Sequence, residues 1–171
     1  MLKLLGAVLI FLGTAGGLAA WMGEEKKRLD AMEELRQFYI RVYYAMDIEQ
    51  AQMMDFLENY QTAHPAMSAW KQKLAQALCS NTYPSGEEAF LWALDETRAM
   101  WNLSKEGWEV FRQSAKGLFG MNLPENLIHL KSAMDGMEAC EKEERSVFAK
   151  RKKLVIPVAL LGAVMMIICL V

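Results

Sequence analysis

LLGAVLIFLGTAGGLAAWMG, residues 4–23, is the stretch that decides the architecture. No charged side chain interrupts those 20 residues, and as a helix they reach roughly 30 Å, the thickness of one bilayer hydrocarbon core. The opposite end repeats the theme: LVIPVALLGAVMMIICLV, residues 154–171, holds 18 uncharged residues. That run is slightly short, and the flanking Lys152 and Lys153 make up the length by reaching to the interface along their aliphatic stems. The reading is a transmembrane helix over 4–23, a helical domain over 24–153 and a second transmembrane helix over 154–171.

Charge placement gives the orientation. Lys26, Lys27 and Arg28 follow the first apolar run, and Lys150, Arg151, Lys152 and Lys153 precede the second. The outer flanks carry only Lys3 and the termini. Positive charge stays on the cytoplasmic side, so both segments place 24–153 in the cytoplasm. Leu18-Ala19-Ala20 offers the small residues a signal peptidase accepts. Against cleavage stand the length of the run and the basic cluster behind it, so a retained anchor is expected.

Within the first run, Gly6, Gly13 and Gly17 recur at spacings of seven and four, along one stripe of a helix where another backbone can approach closely. Ala159, Gly162 and Ala163 do the same in the second. These residues are candidates for membrane helix packing, set against the plain abundance of Gly and Ala in such helices.

The rest of the composition narrows the options. Of 171 residues 53% are hydrophobic and 23% charged, enough for one ordinary domain besides the membrane segments. A net charge of −2 argues against nucleic acid as partner, since neutralising phosphates needs a basic surplus. Cys79, Cys140 and Cys169 show no CxxC spacing and read as reduced cysteines, and His64 and His129 lie too far apart to suggest a metal site. No cofactor is expected.

Between residues 24 and 153 the apolar pattern is helical throughout. Leu29, Met32, Leu35, Phe38, Val42, Ala45 and Met46 recur at threes and fours, continuing the first membrane helix without a breaker. Met54, Leu57 and Tyr60 mark a second helix. A third starts near Pro65, with Met67, Trp70, Leu74, Ala77 and Leu78 on one face, and ends over Asn81 to Pro84. Ser85 and Glu88 form a capping box before Phe90, Leu91 and Leu94. Ser104 caps a helix carrying Trp108, Phe111 and Ala115 that closes near Gly117 or Gly120. The last helix opens around Pro124, with Leu127, Leu130, Met134 and Met137 at coiled-coil-like spacing, and continues through EKEERSVFAKRKK, a solvated stalk. No apolar–polar alternation appears, so the fold class is all-α: a cytoplasmic helical bundle flanked by an N-terminal and a C-terminal transmembrane helix.

Chemistry has no visible carrier. Glu87-Glu88 and Asp95-Glu96 are adjacent carboxylates that point about 100° apart on a helix, and the first pair suits a helix N-terminus. His64 precedes Pro65 in a turn and His129 borders core positions, so both read as surface or boundary residues. No GxSxG, P-loop, HExxH or GxGxxG occurs. Nine methionines between Met32 and Met137 read as core filling, with an adaptable docking face as the other use.

Laid out in this order, the chain resembles the stage III sporulation protein AB family. The resemblance rests on the opening MLKLLGAVLIF, on ELRQ at Glu34 to Gln37, on SGEEAFLWAL from Ser85 to Leu94, and on FRQSAKGLFGMNLPENLIHL from Phe111 to Leu130. The chain departs from the family pattern at Pro124-Glu125-Asn126 and at Leu118-Phe119, where a tighter glycine turn is usual. The resemblance implies a non-enzymatic membrane component of the channel-like complex joining mother cell and forespore, in the mother-cell membrane. It implies a cytoplasmic domain like those of type II secretion and type IV pilus inner-membrane platform proteins. The implied partners are a secretion-type ATPase, stage III sporulation protein AA, and other channel components.

Arg112 and Lys116, one turn apart beside the Gly117 to Gly120 turn, are the candidate partner contact, against ordinary charge at a helix C-terminus. Two other classes were weighed. A two-pass sensor or signal transducer needs a sensing segment outside the membrane, where only a few residues lie. A small membrane-bound enzyme needs converging polar groups in a pocket.

Overall fold

The computed structural model describes residues 2–48, 52–80, 82–120 and 122–170; Met1, Asn81, Met121 and Val171, which enter the reading above, lie outside them. In chain order the helices are α1 (Leu2–Asp47), α2 (Met53–Asn59), α3 (Pro65–Ser80), α4 (Gly86–Thr97), a 3₁₀ turn (Arg98–Met100), α5 (Lys105–Gln113), α6 (Ala115–Phe119) and α7 (Leu123–Leu170). The fold is all-α, with no strand among the described residues. Contacts divide the chain into two units, residues 1–27 with 143–171 and residues 28–142.

In the 28–142 unit, α1 buries Ala31, Met32, Leu35, Phe38, Tyr39, Val42 and Ala45, the three-and-four rhythm of a helix with one wet face. Leu29 and Met46, expected inward, are half-buried. Tyr39, which the apolar pattern passes over, is fully buried. Trp70 of α3 sits at the centre. Its ring lies 5.3 Å from that of Phe38, 5.2 Å from Phe90 and 5.4 Å from Phe111, tying α1, α3, α4 and α5 together through edge-on and tilted aromatic pairs. Met32, Met67 and Met137 are fully buried, so part of the methionine set does fill core.

The starts of the middle helices follow from their sequence. Pro65 opens α3, where its missing N–H costs nothing, and His64 Nδ1 lies 3.5 Å from the Met67 N–H as an acceptor. Ser85 Oγ accepts from the Glu88 N–H at 3.2 Å, one arm of the expected capping box, and Ser104 Oγ accepts from the Gly107 N–H at 3.2 Å. The helix expected from Ser104 to Gly117 or Gly120 is instead two, broken at Ser114. Its Oγ donates to the Phe111 carbonyl at 2.6 Å, a local bond that competes with the helical ladder.

On the part of α7 within the 28–142 unit, the buried positions are Asn126, Leu130, Ala133, Met137 and Glu141. Leu127 and Met134 are half-buried, so the seam runs through Asn126 and Ala133 rather than through those two. Small groups permit this. A Cβ on Gly117 would stand 2.9 Å from the Leu130 backbone nitrogen, and one on Gly136 would stand 3.2 Å from Val110. Only glycine lets α6 and α7 approach so closely. Arg36 Nε of α1 meets Glu141 Oε2 of α7 at 3.1 Å, an ion pair within this seam.

In the other unit, Phe11, Thr14, Ala15 and Leu18 of α1 and Leu160 and Ala163 of α7 line a small cavity of about 60 Å³, and Ala163 is buried. Trp21 and Phe148 bring their rings to 5.7 Å, and Arg151 lies 3.6 Å from Glu25. Pro157 stands inside α7, a position membrane helices tolerate. Both α1 and α7 are long and apolar enough to cross a membrane.

Candidate functional site

The candidate contact residues sit where α4, α5 and α6 meet. Arg112 is in the last turn of α5 and Lys116 in α6, on either side of the break at Ser114, and both are exposed. Arg112 Nη1 lies 3.2 Å from Asp95 Oδ1 of α4, a solvent-facing pair that contributes little stability but fixes where the guanidinium stands. Glu96, next in sequence, faces Lys73 of α3 at 3.6 Å. The adjacent carboxylates thus take separate surface partners on separate helices.

Beneath this surface the break is pinned from inside. Ser114 gives its proton to the Phe111 carbonyl, so the Tyr39 hydroxyl donates to Ser114 Oγ, at 2.6 Å. Burial pushes the Tyr39 phenol far above its ordinary value. The turn that follows is equally determined. Asn126 is buried, and its Nδ2 donates to the Gly120 carbonyl at 3.0 Å, closing the loop into α7. Leu118 is buried and Phe119 packs 6.2 Å from Phe90, over Gly86, where any Cβ would collide with the Phe119 ring. The residues that depart from the usual family turn therefore anchor it to the core.

A second polar cluster was not legible in the sequence. Tyr60 donates to Glu34 Oε1 at 3.0 Å, and Thr62 Oγ1 donates to the same oxygen. Burial, reinforced by the Glu34 charge, raises the Tyr60 phenol, while Arg41 lies over its ring at 5.5 Å. Thr62 also accepts from the His64 N–H at 3.0 Å, and the His64 ring stacks on Trp101 at 5.7 Å. His64 thus caps and stacks at a half-buried boundary. His129 is exposed on α7. Glu34 and Tyr60 lie 26 residues apart, and no periodicity links them.

In the membrane-length segments, a Cβ added at Gly13, Gly17 or Gly162 would have nothing within 4 Å, whereas Ala163 is buried. Gly6 and Ala159 are half-buried. No three His, Cys, Asp or Glu side chains gather among the described residues as metal ligands would.

An aromatic-cored helical domain between two membrane-length helices defines a small membrane-anchored bundle protein. The chain belongs to the stage III sporulation protein AB family, whose model matches residues 3–171, and is thereby a sporulation membrane protein. A solved structure of stage III sporulation protein AB shares the fold at a TM-score of 0.61 and 16% identity, covering 72% of this chain and 97% of that one. No curated protein matches the chain.

Proposed function

We propose that the chain is a non-enzymatic platform in the mother-cell membrane, part of the secretion-like channel between mother cell and forespore. Its 24–153 domain faces the cytoplasm and anchors or couples the secretion-type ATPase, stage III sporulation protein AA, as the platform proteins of type II secretion and type IV pilus machines do. The observation that carries this reading is the interior of the 28–142 unit. Trp70, Phe38, Phe90 and Phe111 fill it, while Arg112, Asp95, Lys73 and Glu96 stand at the surface. Such a domain works through its outer faces.

Arg112 and Lys116 are the proposed charged contact with the ATPase. Gly6, Gly13, Gly17 and Gly162, with Ala159 and Ala163, are the proposed packing surface of the membrane helices, toward each other or toward other channel components. The test is co-purification of the full-length chain in nanodiscs with the ATPase. Stoichiometric capture that falls about tenfold or more in Arg112→Glu/Lys116→Glu supports both the partner and the contact. Capture unchanged by the reversal retires the contact. No capture by a folded chain retires the ATPase as partner.

A further inference from the structure

Arg98, Trp101, Leu103, Ser104, Lys105 and Trp108 line an open depression of about 310 Å³ between the end of α4 and the start of α5. Two of these side chains are cationic, two are indoles, and none is a carboxylate. The Arg98 guanidinium lies 5.3 Å from the centroid of the Trp108 ring, which holds it by cation–π attraction. A guanidinium stacked by its face keeps its N–H edge available for a planar, bidentate anion such as phosphate. Lys105 is exposed beside it. Met100, which precedes the lining residue Trp101 and ends the 3₁₀ turn, is a flexible apolar side chain left 51% exposed. Two carboxylates adjoin lining residues in sequence, Glu106 beside Lys105 and Glu109 beside Trp108.

Location selects the ligand. Gly107, next in sequence to the lining residue Trp108, packs against Met32 of α1: a Cβ there would stand 2.7 Å from the Met32 methyl group. Met32 follows Gly23, the last residue of the uncharged run, by nine residues. Nine residues reach at most roughly 32 Å even fully extended, so once the apolar run enters a bilayer the tether keeps this loop within reach of its surface. Cations, indoles and an exposed apolar tip are the composition of segments that settle at the headgroup level.

We propose that the loop from Arg98 to Trp108 is a lipid-contact site, with Arg98 and Lys105 on anionic headgroup phosphates and Met100 at the acyl boundary. This rests on insertion of the first apolar run and is independent of the ATPase. Carbonate-resistant sedimentation with vesicles checks that insertion first.

The experiment uses the full-length chain with Cys79, Cys140 and Cys169 replaced by Ser and Met100→Cys carrying an environment-sensitive fluorophore. It is reconstituted into vesicles of phosphatidylcholine with roughly one third phosphatidylglycerol, or of phosphatidylcholine alone. Expected is blue-shifted emission that loses more than about half its intensity to spin-labelled lipid in the anionic vesicles, with most of that quenching lost in Arg98→Glu/Lys105→Glu. Both substituted residues are exposed, and unchanged circular dichroism confirms that the variant folds. Water-like, unquenched emission in both vesicle types overturns the proposal. So does a shift produced only by adding an acidic peptide, which assigns the depression to a protein partner instead.

Discussion

Tyr39 joins two positions 75 residues apart through one hydroxyl, and its loss is measurable in two ways. Removing that hydroxyl in Tyr39→Phe deletes a buried hydrogen bond and costs about 1 kcal/mol at neutral pH, read by denaturant titration. The second effect concerns pH. The folded-state phenol is raised above 10.0 by burial, so below pH 10 both states are protonated and the contribution is intact. Above it the unfolded chain ionises while the folded chain holds its proton, and stability falls as pH rises. Tyr60 acts in the same direction, from burial first and Glu34 second. Melting temperature should therefore drop past about pH 10 in the wild type, and less steeply in Tyr39→Phe. Gly117 gives a steric counterpart. A Cβ there meets the Leu130 backbone nitrogen at 2.9 Å, and backbone cannot rotate away. Gly117→Val should destabilise the domain by roughly 1–3 kcal/mol, whereas Gly13→Ala, with nothing within 4 Å, leaves its stability unchanged.

Helix starts were readable because their causes are local. Ser85, Ser104 and Pro65 act within three residues, and each begins its helix as expected. Replacing Ser85 or Ser104 by Ala should each cost about 1 kcal/mol, read as additive shifts in unfolding midpoint, because the two caps lie on different helices. The break at Ser114 was not readable, since it depends on Tyr39 of a distant helix. Nor was the seam of α7: periodicity allows either Leu127 and Met134 or Asn126 and Ala133, and only the approach of Gly117 and Val110 chooses. The seam also accounts for Glu141, expected in a solvated stalk, and for Arg36 facing it. Their side chains are 30% and 12% exposed, so both are partly desolvated where they meet. Removing Arg36 takes one cationic partner from the partly buried Glu141 carboxylate. Arg36→Leu and Glu141→Leu should therefore cost less together than the sum of their separate costs, a non-additivity that a double-mutant cycle reads directly. Additive losses would mean that Glu141 draws its support elsewhere.

At the scale of the molecule, the charge pattern makes a claim about sidedness. Lys26, Lys27 and Arg28 after one apolar run and Lys150 to Lys153 before the other are the basis for proposing that the 24–153 domain faces the cytoplasm. The segments themselves were legible because 20 and 18 uncharged residues have few other uses, and α1 and α7 carry them. The residues that decide partners were not, because the surface of a bundle is constrained by what docks on it rather than by its own core. Cys79 converts the sidedness claim into a chemical one. It is exposed at the end of α3, within the 28–142 unit, and its thiol is free. With Cys140 and Cys169 replaced by Ser, a membrane-impermeant maleimide should leave Cys79 unlabelled in intact cells and label it fully once the membrane is permeabilised. Reversing the basic cluster with Lys26→Glu/Lys27→Glu/Arg28→Glu removes half of the topological determinant while Lys150 to Lys153 retain the other half. If the two clusters act independently, labelling in intact cells stays low in that variant. It rises only when Lys150, Arg151, Lys152 and Lys153 are reversed as well. Labelling of the unmodified chain in intact cells would place the bundle outside, beyond reach of any cytoplasmic ATPase, and would end the platform reading along with the orientation.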